Sequence, residues 1–202
     1  MILIFDRLEV YNLIKHILKM KKSILAIAIF AVTLISSTDT FAQSWKKLDV
    51  SPMDASTFPD NWRESNKVAK VVYGRPQLKG RDLAKLAPVD KVWRTGANEA
   101  AEITFYKDVV FGGKEVKAGS YSLFTIPTAE GDWTVILSTA KNVWGHYSYK
   151  QEEDVVRVPG TVSKSEKNIE AFSMIFEDDM TLKMGWANTV VSVEITTEDS
   201  ED

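Results

Sequence analysis

The 202-residue chain has no cysteine, and its two histidines are His16 and His146. Without cysteine there is no disulfide staple, no thiol nucleophile and no attachment point for a lipoprotein lipid, so stability must come from burial. A serine triad would depend on His146, and no G-x-S-x-G elbow is present to hold a serine beside it. A catalytic zinc site normally draws on two or three histidines or cysteines, which the body of the chain does not supply. The D-x-[DN]-x-[DN]-G loop of an EF-hand is also missing, although a carboxylate site built from separate loops would leave no such signature. No cofactor motif stands out. Charge of either sign is only slightly in excess, 25 basic against 28 acidic residues. That balance gives no electrostatic footprint for nucleic acid and no polybasic patch for anionic lipid.

Glycine and proline are absent from the first 42 residues, and all ten glycines and six prolines follow them. From Met20 the chain reads M-K-K-S-I-L-A-I-A-I-F-A-V-T-L-I-S-S-T-D-T-F-A. Two lysines precede an apolar run from Ile24 to Ile35, too short for a bilayer span of roughly 20 residues. A small-x-small pair, Thr40 and Ala42, follows. This is the pattern of a secretory signal peptide cleaved after Ala42. Asp6 and Glu9 suit no basic leader, so residues 1–19 read as an upstream extension and Met20 as the true start. A membrane anchor over residues 1–35 is the rival, weakened by Lys19, Lys21 and Lys22. The expected product, residues 43–202, carries 20 basic and 25 acidic residues. It is expected in the periplasm or outside the cell, off the membrane once the signal is cut.

Beyond Ala42 the glycines and prolines divide the chain into short segments rich in Val, Ile, Thr, Tyr, Phe and Trp, the composition of strands. Lys67 to Tyr73, Ala101 to Val110, Ser120 to Ile126, Trp133 to Ser138, Asp154 to Val158, Glu170 to Glu177, Thr181 to Ala187 and Thr189 to Thr196 are predicted strands. Phe111-Gly112-Gly113-Lys114 is a tight hairpin turn, in a register that sets Val109 opposite Val116 and Asp108 opposite Lys117. Pro159-Gly160 reads as a strand end. The last three segments read as an antiparallel meander. No long 3.6-residue apolar period occurs after Ala42; only Asp60 to Ala69 or Asp82 to Leu86 suits a helical turn. The expectation is an all-β protein, a single antiparallel sandwich or jelly-roll-like domain of about nine strands over residues 67–197. The leader precedes it, residues 43–66 form an extended segment, and residues 198–202 form an acidic tail.

Two segments concentrate side chains that bind. Trp93 to Glu99 sets an indole, a guanidinium, an amide and a carboxylate around Gly96. Arg94 can clamp a carboxylate or sugar hydroxyls, and Asn98 and Glu99 add further polar groups. Asn142 to Tyr149 carries Trp144, His146, Tyr147 and Tyr149, rings that suit small polar ligands with apolar faces. A plainer reading makes Trp93 a core anchor, pairs Arg94 with Glu99 or Glu102, gives Gly96 a positive φ and makes Asn98 a turn cap. The working expectation is a non-catalytic module in which Arg94, Asn98, Glu99, Trp144, His146 and Tyr149 line one surface. Its partner would be a small molecule, a glycan or an envelope protein. One alternative is a hydrolase of glycans or peptides using Glu99 or Glu102 with His146; another is a structural envelope protein that binds by a sheet edge.

The ordered blocks K-V-W-R-T-G-A-N-E-A (91–100), F-G-G-K-x-V-x-A-G-S-Y-S-L-F-T-I-P (111–127), W-T-V-I-L (133–137), N-x-W-G-x-Y (142–147) and D-V-V-R-V (154–158) resemble the domain-of-unknown-function family 2911. Y-G-R-P-x-L-K-G-R (73–81) is similar to that family's first block. The resemblance spans about Lys67 to Ile195 and implies export and a mostly β fold; it implies no activity. The chain departs from the family's pattern in two short links, Gly80 to Lys91 and Val158 to Asn168.

Overall fold

In the computed structural model the described residues are 7–36 and 45–197, with side chains described for 7–22 and 45–197. The chain divides into two compact units, Met1–Lys47 and Leu48–Asp202. The first contains one helix, α1 (Arg7–Ser36), which takes in the basic and apolar parts of the expected leader. Among the described residues no helix is long and apolar enough to cross a membrane. The cleavage position after Ala42 and the acidic tail lie outside the described residues.

The second unit is all-β and antiparallel. Its elements are β1 (Met53–Phe58), β2 (Ala69–Gly74), α2 (Leu83–Leu86), β3 (Ala101–Phe105), β4 (Val109–Phe111), β5 (Lys114–Val116), β6 (Gly119–Ile126), β7 (Trp133–Ser138), β8 (Asp154–Phe176), β9 (Leu182–Val193) and β10 (Ile195–Thr197). Seven strands form one sheet in the order β1-β2-β3-β6-β7-β8-β9, and β10-β4-β5 form a second, smaller sheet. The larger sheet curls, bringing the end of β8 back beside β1 and β2. There Phe58 meets Phe176 at 6.3 Å between ring centroids, and the Tyr73 hydroxyl both accepts from Met174 N (2.8 Å) and donates to Met174 O (3.2 Å).

Alternation places Ala101, Ile103 and Phe105 of β3, Leu123 of β6, and Val135 and Leu137 of β7 in the interior. Each fully buried large side chain there contributes about 1.5–3 kcal/mol relative to exposure. Trp93, Phe172 and Trp186 make its aromatic centre, with the two indoles stacked at 5.4 Å and Phe172 edge-on to both. The Gly-Gly hairpin has the expected register, Val109 opposite Val116, and Lys117 reaches Asp108 at 2.8 Å.

Three elements differ from expectation. Asp154 to Val158 and Glu170 to Glu177 belong to the single strand β8, which runs through Pro159-Gly160. Its first part pairs with β7 up to Gly160 and its second with β9 from Thr161. Pro159 therefore sits where only one neighbour is paired, a position that tolerates a missing N–H. Gly160 is required by packing, since a Cβ there would lie 2.6 Å from Val135 Cγ2 and 2.7 Å from Val191 Cγ1. Likewise the last two segments of the expected meander are mostly one strand, β9, kinked at Ala187 (φ 53°). Within the expected extended segment 43–66, β1 is an edge strand paired with β2. Asp60 to Ala69 forms no helix, whereas Asp82 to Leu86 supplies α2.

Candidate functional site

The strand-like pairing of Trp93 decides where Arg94 points. Trp93 N donates to Thr125 O at 2.7 Å and Thr125 N returns the bond at 3.0 Å, so Trp93 lies in register with the end of β6 and turns its ring into the core. The next side chain takes the opposite face, and Arg94 emerges on the outer side of the sheet. Ala101 N donates to Arg94 O at 3.0 Å, closing residues 95–100 into a tight loop.

That loop is held by backbone approach. A Cβ on Gly74 would fall inside the Ala97 carbonyl, and one on Gly96 would lie 3.1 Å from Gly74 O. Gly96 does not have a positive φ; Thr95 (52°) and Asn98 (63°) do. For buried, β-branched Thr95 this is a strained conformation, and its hydroxyl is held between Trp93 O (3.3 Å) and Thr125 Oγ1 (3.2 Å). Arg75, beside Gly74, binds Phe172 O (3.0 Å), Asp54 (3.0 Å) and Ser173 Oγ (2.7 Å). The Y-G-R-P and T-G-A-N motifs are thus two halves of one backbone joint.

The loop after β7 is stitched onto this joint. Gly145 N donates to Asn98 O at 2.9 Å, Ala100 N donates to Val143 O at 3.0 Å, and Glu99 bridges Trp144. The loop covers outward-facing Phe124, which meets the Tyr149 ring edge-on at 5.1 Å. Tyr149 donates to Asp154 Oδ2 at 2.7 Å and accepts from Arg157 at 2.9 Å. Burial, and then the bond to Asp154, push its phenol up to about 12, so it acts as a latch that keeps its proton.

Arg94 and His146 consequently line one pocket of about 230 Å³, together with Leu86, Pro88, Lys91, Val92 and the edge of Trp93. Gly145, in the left-handed region at φ 70°, is required by the Tyr147 ring: a Cβ there would lie 2.7 Å from Tyr147 Cε2, with Arg94 Nη1 in ordinary contact at 3.4 Å. Half-buried Arg94 forms no ion pair with Glu99, Glu102 or any other carboxylate among the described residues, and its buried Nε has no hydrogen-bond partner. His146 stacks on Tyr147 at 5.2 Å. Burial and then the nearby Arg94 charge hold its imidazole below the ordinary histidine range. The pocket offers two cations, a neutral imidazole and an apolar wall, with no carboxylate in its lining.

The six suspected residues therefore divide. Arg94 and His146 share the pocket, with Asn98 positioning the loop between them through its carbonyl. Glu99 is exposed, and the Trp144 ring, 60% exposed, is not part of the pocket lining. Tyr149 is occupied by its latch. Lys91, Leu86 and Pro88 were not singled out in sequence, and strand alternation gives no signal for Lys91, since a spacing of three would set it on the face opposite Arg94.

Residues 54–195 match the model of a family described as protein of unknown function (DUF2911). No curated protein and no solved structure matches the chain.

Proposed function

We propose that this protein, which belongs to the DUF2911 family, is an exported binding module that captures a small organic anion, a carboxylate or a phosphate or sulfate ester, in the Arg94 pocket. The observation that carries the reading is the half-buried guanidinium with an unpartnered Nε and no carboxylate beside it. A guanidinium presents a planar fork of donors, and a bidentate oxyanion is the ligand that matches it. Lys91 adds a second charge, and Leu86, Pro88 and Val92 suit a ligand with a short apolar body.

A carboxylate-histidine pair for hydrolysis has less support. His146 has no hydrogen-bonded carboxylate among the described residues, and the charge that acts on it is that of Arg94. Export rests on the leader composition between Met20 and Ala42.

The test is calorimetric titration of the protein with malonate, glucuronate and glycerol phosphate, with glucose as the neutral control. At least one anion is expected to bind, and Arg94→Ala to weaken it by about tenfold to a hundredfold, the equivalent of one charge-assisted hydrogen bond. Binding of glucose as tight as that of the anions, or no loss in the variant, would refute the reading.

A further inference from the structure

A larger cavity, about 650 Å³, opens on the other side of the 82–93 segment. It lies between that segment, the turn joining β6 to β7, and the place where β8 and β9 lose regular register after Lys164. Its volume falls within the range of small-molecule sites. The segment divides its side chains between the two spaces: Leu86 and Val92 line the smaller pocket, while Leu83, Ala87 and Val89 line the larger cavity.

The larger cavity has two unlike walls. Leu83, Ala87, Val89 and Trp133 form an apolar one. Exposed Ser163, Lys164 and Asn188, with half-buried Thr189, form the polar one on β8 and β9, next to Val162 and with Lys164 and Thr189 paired across the two strands. Among the described residues the Ser163 and Thr189 hydroxyls and the Lys164 ammonium make no hydrogen bond or ion pair within the protein. Asn188 uses only its amide nitrogen, on Ser165 O at 3.2 Å. The wall thus retains hydroxyls that both donate and accept, an amide acceptor and an ammonium donor.

No carboxylate lines the cavity, so nothing there attracts an amine or a divalent cation, and one lysine is too little charge for a polyanion. A sugar ring, with a C–H face on one side and hydroxyls that donate and accept around its rim, matches both walls at once. We propose that this cavity is a second binding site, independent of the Arg94 pocket, and that it takes a neutral saccharide. The apolar ring face rests on Leu83, Val89 and Trp133, and the hydroxyls bond to Ser163, Asn188 and Thr189.

The test is calorimetric titration of the full chain with cellobiose, xylobiose, maltotriose and chitobiose, with decanoate and trialanine alongside to represent an amphiphile and a peptide. Ala84 is exposed on the cavity rim, so Ala84→Trp fills the space from outside the core; Asn188→Ala removes one polar contact without adding bulk. At least one saccharide is expected to bind, at least tenfold weaker in Ala84→Trp, several-fold weaker in Asn188→Ala, and within twofold of the parent in Arg94→Ala. The proposal is overturned if no saccharide binds, if the two cavity variants bind as the parent does, if Arg94→Ala abolishes saccharide binding, or if decanoate or trialanine binds in preference.

Discussion

The guanidinium of Arg94 and the imidazole of His146 line one pocket with no carboxylate in its lining. Both are groups that carry positive charge, and the arrangement disfavours protonation of His146: partial burial first, and the Arg94 charge second, lower its proton affinity. Its protonated form is therefore disfavoured in the folded protein. Stability linked to this residue is present above its ordinary pKa and falls as pH drops from there through its lowered folded-state value. The chain has one other histidine, His16, so the His146 resonance can be assigned by its loss in His146→Gln. NMR titration is expected to give His146 a pKa below 6.5, moving upward in Arg94→Ala because one of the two lowering influences is gone.

Gly74→Ala is expected to destabilise the second unit by about 1–3 kcal/mol, the cost of overpacking a tight contact, because its new Cβ would collide with the Ala97 carbonyl. Chemical denaturation measures the change. The collision falls on the loop that follows Arg94, so the His146 resonance should move in this variant as well, although Gly74 does not line the pocket.

Tyr149→Phe removes the hydroxyl shared by Asp154 and Arg157 and leaves the buried carboxylate with the Arg157 ion pair at 2.8 Å and one unpartnered oxygen, Oδ1. A loss of about 1–3 kcal/mol is expected in denaturation at neutral pH. The pH dependence is specific. With its phenol pushed up to about 12, Tyr149 keeps its proton when the unfolded chain loses one near 10. Its contribution is therefore complete below pH 10 and fades between 10 and 12. Ultraviolet titration of the six tyrosines should show Tyr149, along with Tyr73, whose phenol burial also raises, ionising late. The variant should lack one of these late steps.

Much of the second unit was legible in the sequence because its signals are local. The Gly-Gly turn fixes its hairpin by conformation alone, and the cross-strand pairs Val109/Val116 and Asp108/Lys117 follow from counting outward. Pro159-Gly160 carried an equally strong local signal with another cause. Pro159 is tolerated by an unpaired edge, and Gly160 is demanded by two valines from strands distant in sequence. Strand β1 was missed because an edge strand such as M-D-A-S-T-F buries too little to alternate clearly. At the site, the sequence singled out the segments of Arg94 and His146 and set them on one expected surface. It did not show that Tyr149 would be consumed by Asp154, or that Lys91, Leu86 and Pro88 would complete the pocket, since those facts depend on how α2 and the loop after β7 dock.

The proposed export yields a separate prediction. Expressed with its own leader in a Gram-negative host, the protein should accumulate in the periplasm or medium, and its N-terminal residue by Edman or mass analysis should be Gln43. Retention in the cytoplasm with residues 20–42 intact would refute it.

The central claim, an anion site organised by Arg94, is tested most directly by following the His146 ring resonance while malonate, glucuronate or glycerol phosphate is added. An oxyanion seated on the guanidinium offsets its charge, so the account predicts a saturable shift and a raised His146 pKa for at least one of them, both absent in Arg94→Ala. No movement with any anion, or the same movement in the variant, would contradict it.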